Sequence, residues 1–492
     1  MTFPIIPGGS PSSYQISRSL RFRSSNSAYL SRTFGSGNRS TWTWSGWCKY
    51  SNLGTTYRPF LAYSTSAFGI GGASAQADCL YFNQSGVWSG YTAAVFRDPS
   101  AWYHVMFVYD TTQATAANRI KVYVNGVQYT FTTEGGTLPS QNSSGPWNQS
   151  GSHTSMWGSG FNYFDGYAAE VYFIDGQALT PSSFGQTDPT TGVWSPIAYT
   201  GTYGTNGFYL KFADNSGATA TTIGKDSSGN GNNWTPSGIS VTAGTTNDSL
   251  VDSPTNYGSD TGAGGEVRGN YWTLSSINKL SGTIGTLSNA NLTAAITSST
   301  LAAATSPLPS SGKWLFSANV NAAFAVVGLA SSSNVGGGSG NNSWAIYANS
   351  ANGLWFGNNT NGTSANAFNT SGDIAVVAVD VDNNKIWIGR YRSPTLTWIG
   401  GGDPAAGTSP TFSASGGGGV YNTNVNLAST NWYPYAEAGG TVTLNFNFGQ
   451  RAWDFSAPSG FKALCTQNLT TPAIVQGRSE EHTSELQSRG LI

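Results

Sequence analysis

Residues 101–126, AWYHVMFVYDTTQATAANRIKVYVNG, decide the fold class. They read as a strand, a polar loop and a second strand. In the second strand Ile120, Val122 and Val124 alternate with Lys121 and Tyr123, the period-two pattern of a half-buried β-strand. Asn125-Gly126 suits the positive φ angles of a type I′ hairpin, so the chain is expected to double straight back through Val127. Further along, FDGYAAEVYFIDGQALTPSSFG (164–185) sets Ala169, Val171 and Phe173 against Glu170, Tyr172 and Ile174, then breaks at Asp175-Gly176.

The same patterning continues outward. GKWLFSANV (312–320) and AFAVVGLA (323–330) are short strands between turn residues. GDIAVVAVDVDNNKIWIGRY (372–391) is a hairpin around Asn383-Asn384 in which Trp387 faces away from Ile386 and Ile388. TVTLNFNFGQ (441–450) puts Val442, Leu444, Phe446 and Phe448 on one face and Thr443, Asn445 and Asn447 on the other. Short strands with frequent turns mean a sandwich or barrel, and no helical period competes.

A chain of 492 residues has room for two or three domains. Composition shifts divide it into an arm (1–15), a first β domain (16–238), a Gly/Ser/Thr/Asn/Asp-rich bridge (239–268), a second β domain (269–466) and a tail (467–477). Residues 478–492, RSEEHTSELQSRGLI, hold five charges in fifteen positions, against 9% for the chain. The segment resembles a translated sequencing adapter and is read as an assembly artefact, with the native frame expected to run past residue 477.

Charged residues are far below the roughly 25% of ordinary globular proteins, while 17 Trp, 24 Tyr and 24 Phe argue for packed cores. A surface solvated by hydroxyls and amides predicts binding that depends little on salt. Net charge is −1 with no Lys/Arg run, which speaks against a nucleic-acid partner. No stretch approaches the roughly 20 apolar residues of a membrane span, and MTFPIIPGGSPSS lacks the marks of a signal peptide. Cys48, Cys79 and Cys465 fit no metal motif; buried free thiols are expected over a Cys48–Cys79 disulfide.

In their order, the pieces 101–126 and 164–185 resemble the laminin-G-like, or concanavalin A-like, jelly roll. SGKWLFSANV, GDIAVVAVDVDNNKIWIG, TWIGGGDPAAGTSPTF (397–412) and WYPYAEAGGTVTLNFNFGQRAWDFSAPSGFKAL (432–464) resemble the SPRY family. The match departs at Leu315-Phe316, where that family commonly continues Tyr-Trp-Glu. The resemblances imply an all-β chain of two concanavalin A-like jelly-roll sandwiches joined by a Gly/Ser/Asn-rich bridge, with recognition through rim loops. Both modules in one low-charge chain resemble bacteriophage tail or tail-fibre proteins. That implies a virion location, a host cell-surface polysaccharide or protein as partner, other virion proteins as neighbours, and a homo-oligomer. The alternatives are a structural or decorative virion protein and a polysaccharide depolymerase.

No enzyme is expected. The laminarinase pattern Glu-x-Asp-x-x-Glu is absent; Glu170 is expected to close a strand edge and Asp175 to sit in a turn on the opposite face. His104 shares a face with Trp102, Met106 and Val108, and His153 lies in a Gly/Ser/Asn loop without a partner. The stretch SSGPWNQSGSHTSMWGSGFNYFDG (143–166) offers Trp147, Trp157, Phe161 and Tyr163, either as core cover or as platforms for sugar rings. Trp344, Trp355 and Trp398 pose the same choice in the second domain. Ligand candidates are thus Trp147, Trp157, Tyr163, Trp344 and Trp398. The laminin-G resemblance also implies a rim calcium, for which Asp110 and Asp165 are candidates, with Asp214 and Asp226 in DNSG and DSSGNGNN. The alternative is that these aspartates cap turns.

Overall fold

The computed structural model describes residues 14–470 apart from 74–75, 159–161, 190, 263, 281, 321–324, 332–342, 348–352, 358–359, 365–369, 371, 415–418 and 423. Among the described residues the regular structure is strand with a few 3₁₀ turns, and no helix is long and apolar enough to cross a membrane.

The first sandwich opens with β1 (Ser19–Phe22), β2 (Tyr29–Phe34), β3 (Thr41–Tyr50), β4 (Arg58–Tyr63), β5 (Ser66–Ala73), β6 (Gln76–Gln84) and β7 (Trp88–Val95). Then come β8 (Trp102–Asp110), β9 (Ile120–Val124), β10 (Val127–Tyr129), β11 (Phe131–Gly136), β12 (Gly151–Met156) and β13 (Gly166–Asp175). One sheet runs β10-β9-β8-β3-β13-β1 and is extended by Ser249–Leu250. The other runs β11-β7-β6-β5-β4-β12-β2 and is extended by Thr235–Ser237. Their inner faces meet through aromatic rings: Trp44 stacks on Phe60 at 5.1 Å and Trp42 on Phe68 at 5.4 Å. The hairpin forms as its sequence requires, with Asn125 at φ 49° and Gly126 at φ 80° between paired Val124 and Val127.

Strand β13 departs from simple alternation. Its register against β3 slips between Ala169 and Tyr172, and Glu170 takes a left-handed φ of 51°. This bulge moves Ala168, Val171 and Phe173 onto the sandwich core. Ala169, expected beside Val171 and Phe173, instead joins Tyr167 and Trp47 on the outer face. Glu170 closes no edge: it is 4% exposed in a central strand.

The second sandwich pairs a sheet containing Ala325–Ser331, Ser343–Tyr347 and Trp432–Ala438 with one centred on Lys313–Val320, Asp373–Asp380, Lys385–Arg392 and Val442–Asn447. Val442, Leu444, Phe446 and Phe448 all enter its core, as their spacing predicts. Trp387 turns away from Ile386 and Ile388 to pack with Leu315, Val376 and Ala378 on the far side.

The bridge is loop for most of its length, yet it is built into the molecule. Ser249–Leu250 pairs with β1. Asp248 accepts hydrogen bonds from Arg21 Nε (3.0 Å) and from Arg23 Nε and Nη2 (2.7 and 2.9 Å). Asp252 receives Lys49 Nζ at 2.9 Å and Trp102 Nε1 at 2.9 Å, while Lys49 also donates to Asn270 Oδ1 and the Tyr271 carbonyl at 2.8 Å. Trp47, Trp102 and Leu250 share one apolar cluster with Trp272, Leu274 and Leu292. The two sandwiches are therefore packed against each other across buried ion pairs.

Candidate functional site

The outer face of the second sheet carries a cleft. In β6, Leu80 and Phe82 point into the core, so Tyr81 between them lies on the opposite face. Its neighbours there are Ala62 of β4 and Ala67 of β5, whose small side chains leave room above the sheet. Tyr57, in the loop before β4, meets the Tyr81 ring edge-on at 4.7 Å and 77°. Across the cleft, β11 pairs Thr133 with Gly90 and Gly135 with Ser89, skipping Glu134. A β-bulge re-aims the residue it leaves unpaired, and the exposed Glu134 carboxylate accepts from Tyr57 Oη at 3.2 and 3.4 Å.

Tyr57, Tyr81, Phe82, Asn83, Ser89, Gly90 and Glu134 line a cavity of about 170 Å³. It is smaller than the ~300–1,000 Å³ of drug-sized sites, so it suits one ring rather than a chain of them. Tyr81 is 2% exposed, and its hydroxyl has no hydrogen-bond partner among the described residues. Burial holds that phenol well above the usual tyrosine range. An aromatic wall with convergent phenol, amide, hydroxyl and carboxylate groups offers a ring-shaped ligand both stacking and directional hydrogen bonds.

Residues 23–184 match the family model of the concanavalin A-like lectin/glucanases superfamily. No curated protein matches the chain. Among solved structures, a TRIM65 PSpry domain is 10% identical, covering 36% of this chain and 92% of its own at a TM-score of 0.27. A protein from Bacteroides ovatus ATCC 8483, proposed to bind carbohydrate, is 18% identical, covering 45% of this chain and 58% of its own at 0.30. The SPRY domain of human HERC1 is 13% identical, covering 30% and 80% at 0.21.

The tryptophans singled out in the sequence lie elsewhere. Trp147 and Trp157 are fully buried, Trp147 4.8 Å from Phe82 and Trp157 4.7 Å from both Phe60 and Phe164. Trp344 is buried 4.0 Å from Trp432. These three hold the cores and have no face for a ligand. Tyr163, 6.3 Å from Tyr29, and Trp398 are half-buried, on different sandwiches and outside the cleft. Phe161, arm residues 1–13 and residues 471–492 lie outside the described residues, as do the side chains of His153 and Trp355.

Asp110 and Asp165 do not fit one calcium site. They flank opposite ends of β3, Asp110 beside Thr41 and Asp165 next to Gly166, which pairs with Tyr50; nine steps of ~3.3 Å separate those ends by about 30 Å. Each carboxylate is already used as a cap. Asp110 accepts from Thr112 Oγ1 and Gln113 Nε2 at 2.6 Å, and Asp165 from the Ser24 and Ala290 amides at 3.0 and 3.2 Å. Asp226 likewise binds the Tyr209, Ser228 and Asn232 amides at 2.8 Å, and Asp214 accepts from Ser216. Among the described residues, no three His, Cys, Asp or Glu side chains converge on a point. The three cysteines are free and buried.

Glu170 and Asp175 form no acid pair. Glu170 accepts from Tyr14 Oη at 2.6 Å, Tyr172 Oη at 2.8 Å and Tyr209 Oη, and burial pushes its carboxyl up. Asp175 accepts from the Asn38 and Asn206 amides at 2.9 and 3.0 Å. His104 is 1% exposed and bonds Ser45 Oγ at 2.8 Å.

Proposed function

We propose that the chain is a non-enzymatic recognition protein of a phage virion that binds host-surface glycan through the Tyr57–Tyr81 cleft. The observation that carries the reading is the Tyr81 hydroxyl, desolvated and unpartnered at the wall of an aromatic cleft. A buried polar group without a partner is unfavourable in the free protein, and a ligand hydroxyl would satisfy it. The match of residues 23–184 to a lectin/glucanase family supports a carbohydrate ligand. Binding without cleavage is favoured because Glu134 is the only carboxylate lining the cleft, whereas glycoside hydrolysis commonly uses two. The virion location follows from the joint resemblance of the two sandwiches and the low-charge composition to phage tail proteins.

Tyr81→Phe tests the site. It removes the orphaned hydroxyl without opening a cavity, so unfolding stability should hold or rise slightly. Affinity for an immobilised host-cell polysaccharide should fall roughly fivefold, the worth of one hydrogen bond of about 1 kcal/mol. Unchanged affinity in Tyr81→Phe would remove the cleft from the account. A rise in reducing ends when the full chain meets that polysaccharide would favour the depolymerase.

A further inference from the structure

We propose that Glu134 makes the cleft selective for uncharged sugars and turns away uronic, sialic and sulfated ones, an inference that rests on the glycan-binding reading above. Among the described residues lining the cavity, Glu134 carries the only charge. The bulge between Thr133 and Gly135 fixes its backbone, and Tyr57 Oη holds the carboxylate in place at the rim. An ionised carboxylate only accepts hydrogen bonds, with about four lone-pair sites to offer. Neighbouring sugar hydroxyls are donors and complement it. A sugar carboxylate or sulfate brings acceptors and a like charge to the same place.

No countercharge at the cleft relieves that repulsion. Arg58, the cation nearest in sequence to Tyr57, is 5% exposed, and its guanidinium donates to Tyr50 Oη at 2.8 Å and the Thr56 carbonyl at 2.9 Å. A like charge a few ångströms away near a protein surface lowers affinity by about fivefold or more. Salt screens that effect, whereas stacking and neutral hydrogen bonds are indifferent to it. Uncharged ligands should therefore bind equally at low and high ionic strength, and rejection of anionic ones should soften as salt rises.

The test is retention of the full chain on immobilised dextran and galactomannan, as uncharged probes, and on polygalacturonate and alginate, as anionic ones. The expected result is retention by an uncharged polymer, abolished in Tyr57→Ala, and none by the anionic pair. Glu134→Gln should raise retention on the anionic pair about fivefold, and Glu134→Lys further, with circular dichroism and thermal unfolding unchanged because the side chain is exposed. Retention on polygalacturonate or alginate equal to that on uncharged polymers, and lost in Tyr57→Ala, would overturn the charge selection while leaving glycan binding intact. Retention on none of the four would count against the glycan reading itself and end this inference with it. Retention indifferent to Tyr57→Ala would place binding elsewhere and overturn both.

Discussion

At the scale of single residues, burial decides which groups are chemically available. His104 is enclosed between the rings of Trp47 and Trp194, 5.2 and 5.8 Å away, and burial lowers its pKa from the usual 6.5 to about 3. Between those values the unfolded chain binds a proton that the native chain refuses, so stability rises with pH across the window and is lost as pH falls from about 6.5 toward 3. His104→Gln removes this titration. The stability drop between pH 7 and pH 4, measured by urea unfolding, should shrink by up to about 3 kcal/mol relative to the parent chain. An equal drop in both proteins would show that His104 does not titrate in this way. The same enclosure takes Trp147 and Trp157 away from any ligand: rings with several aromatic neighbours are core, whatever the glycine content of the loop around them.

At the scale of elements, turns and bulges set where side chains go. The turn joining β9 and β10 needs glycine twice over. Gly126 has φ 80°, and a Cβ there would sit 2.5 Å from the Trp194 ring. Gly126→Ala should cost about 1–3 kcal/mol, combining left-handed strain with displacement of Trp194. Gly192→Ala, at φ 70° with nothing nearby, should show only the smaller backbone part of that loss. Thermal unfolding of the two variants checks the difference, and equal losses would mean that the Trp194 contact is inconsequential. Two bulges shift alternation where it matters: one buries Glu170 under three phenols, and the other lifts Glu134 to the rim of the cleft. Removing one residue from either strand would swap the faces of all that follow.

At the scale of the whole molecule, the bridge joins the sandwiches as an interface. Lys49 and Asp252 are fully buried and hydrogen-bonded on both sides. Burial lowers the Lys49 pKa while Asp252 opposes the shift. Asp252→Asn leaves the lysine charge facing a neutral amide and should destabilise by about 3–5 kcal/mol, whereas a paired Lys49→Met/Asp252→Leu change should recover most of that loss. Calorimetry on the full chain reads both. Severe loss in the double variant as well would mean that the charges themselves, beyond their mutual neutralisation, hold the interface. Cutting the chain within the bridge would strip Asp248 from Arg21 and Arg23 and expose Trp47, Trp102 and Trp272, so the halves are poor tools for binding measurements.

Strand identity was legible in the sequence because side-chain period is a local property. Val442 to Phe448, the Asn125-Gly126 turn and the opposed faces of Trp387 and Ile388 follow from spacing alone. So did the all-β class and the absence of a retaining-glycosidase motif. Face assignments failed at the bulge, where Glu170 shifts register by one residue and strands Ala169 on the other side. The cleft was harder to see. Alternation of Leu80, Tyr81 and Phe82 places Tyr81 outward, but its meeting with Tyr57 and Glu134 depends on which strands become neighbours. The same holds for the bridge, whose glycines and serines read as a spacer until Asp248 and Asp252 find the buried cations of the first sandwich. Periodicity fixes how one strand presents its side chains, and only the pairing of distant strands decides what those side chains face.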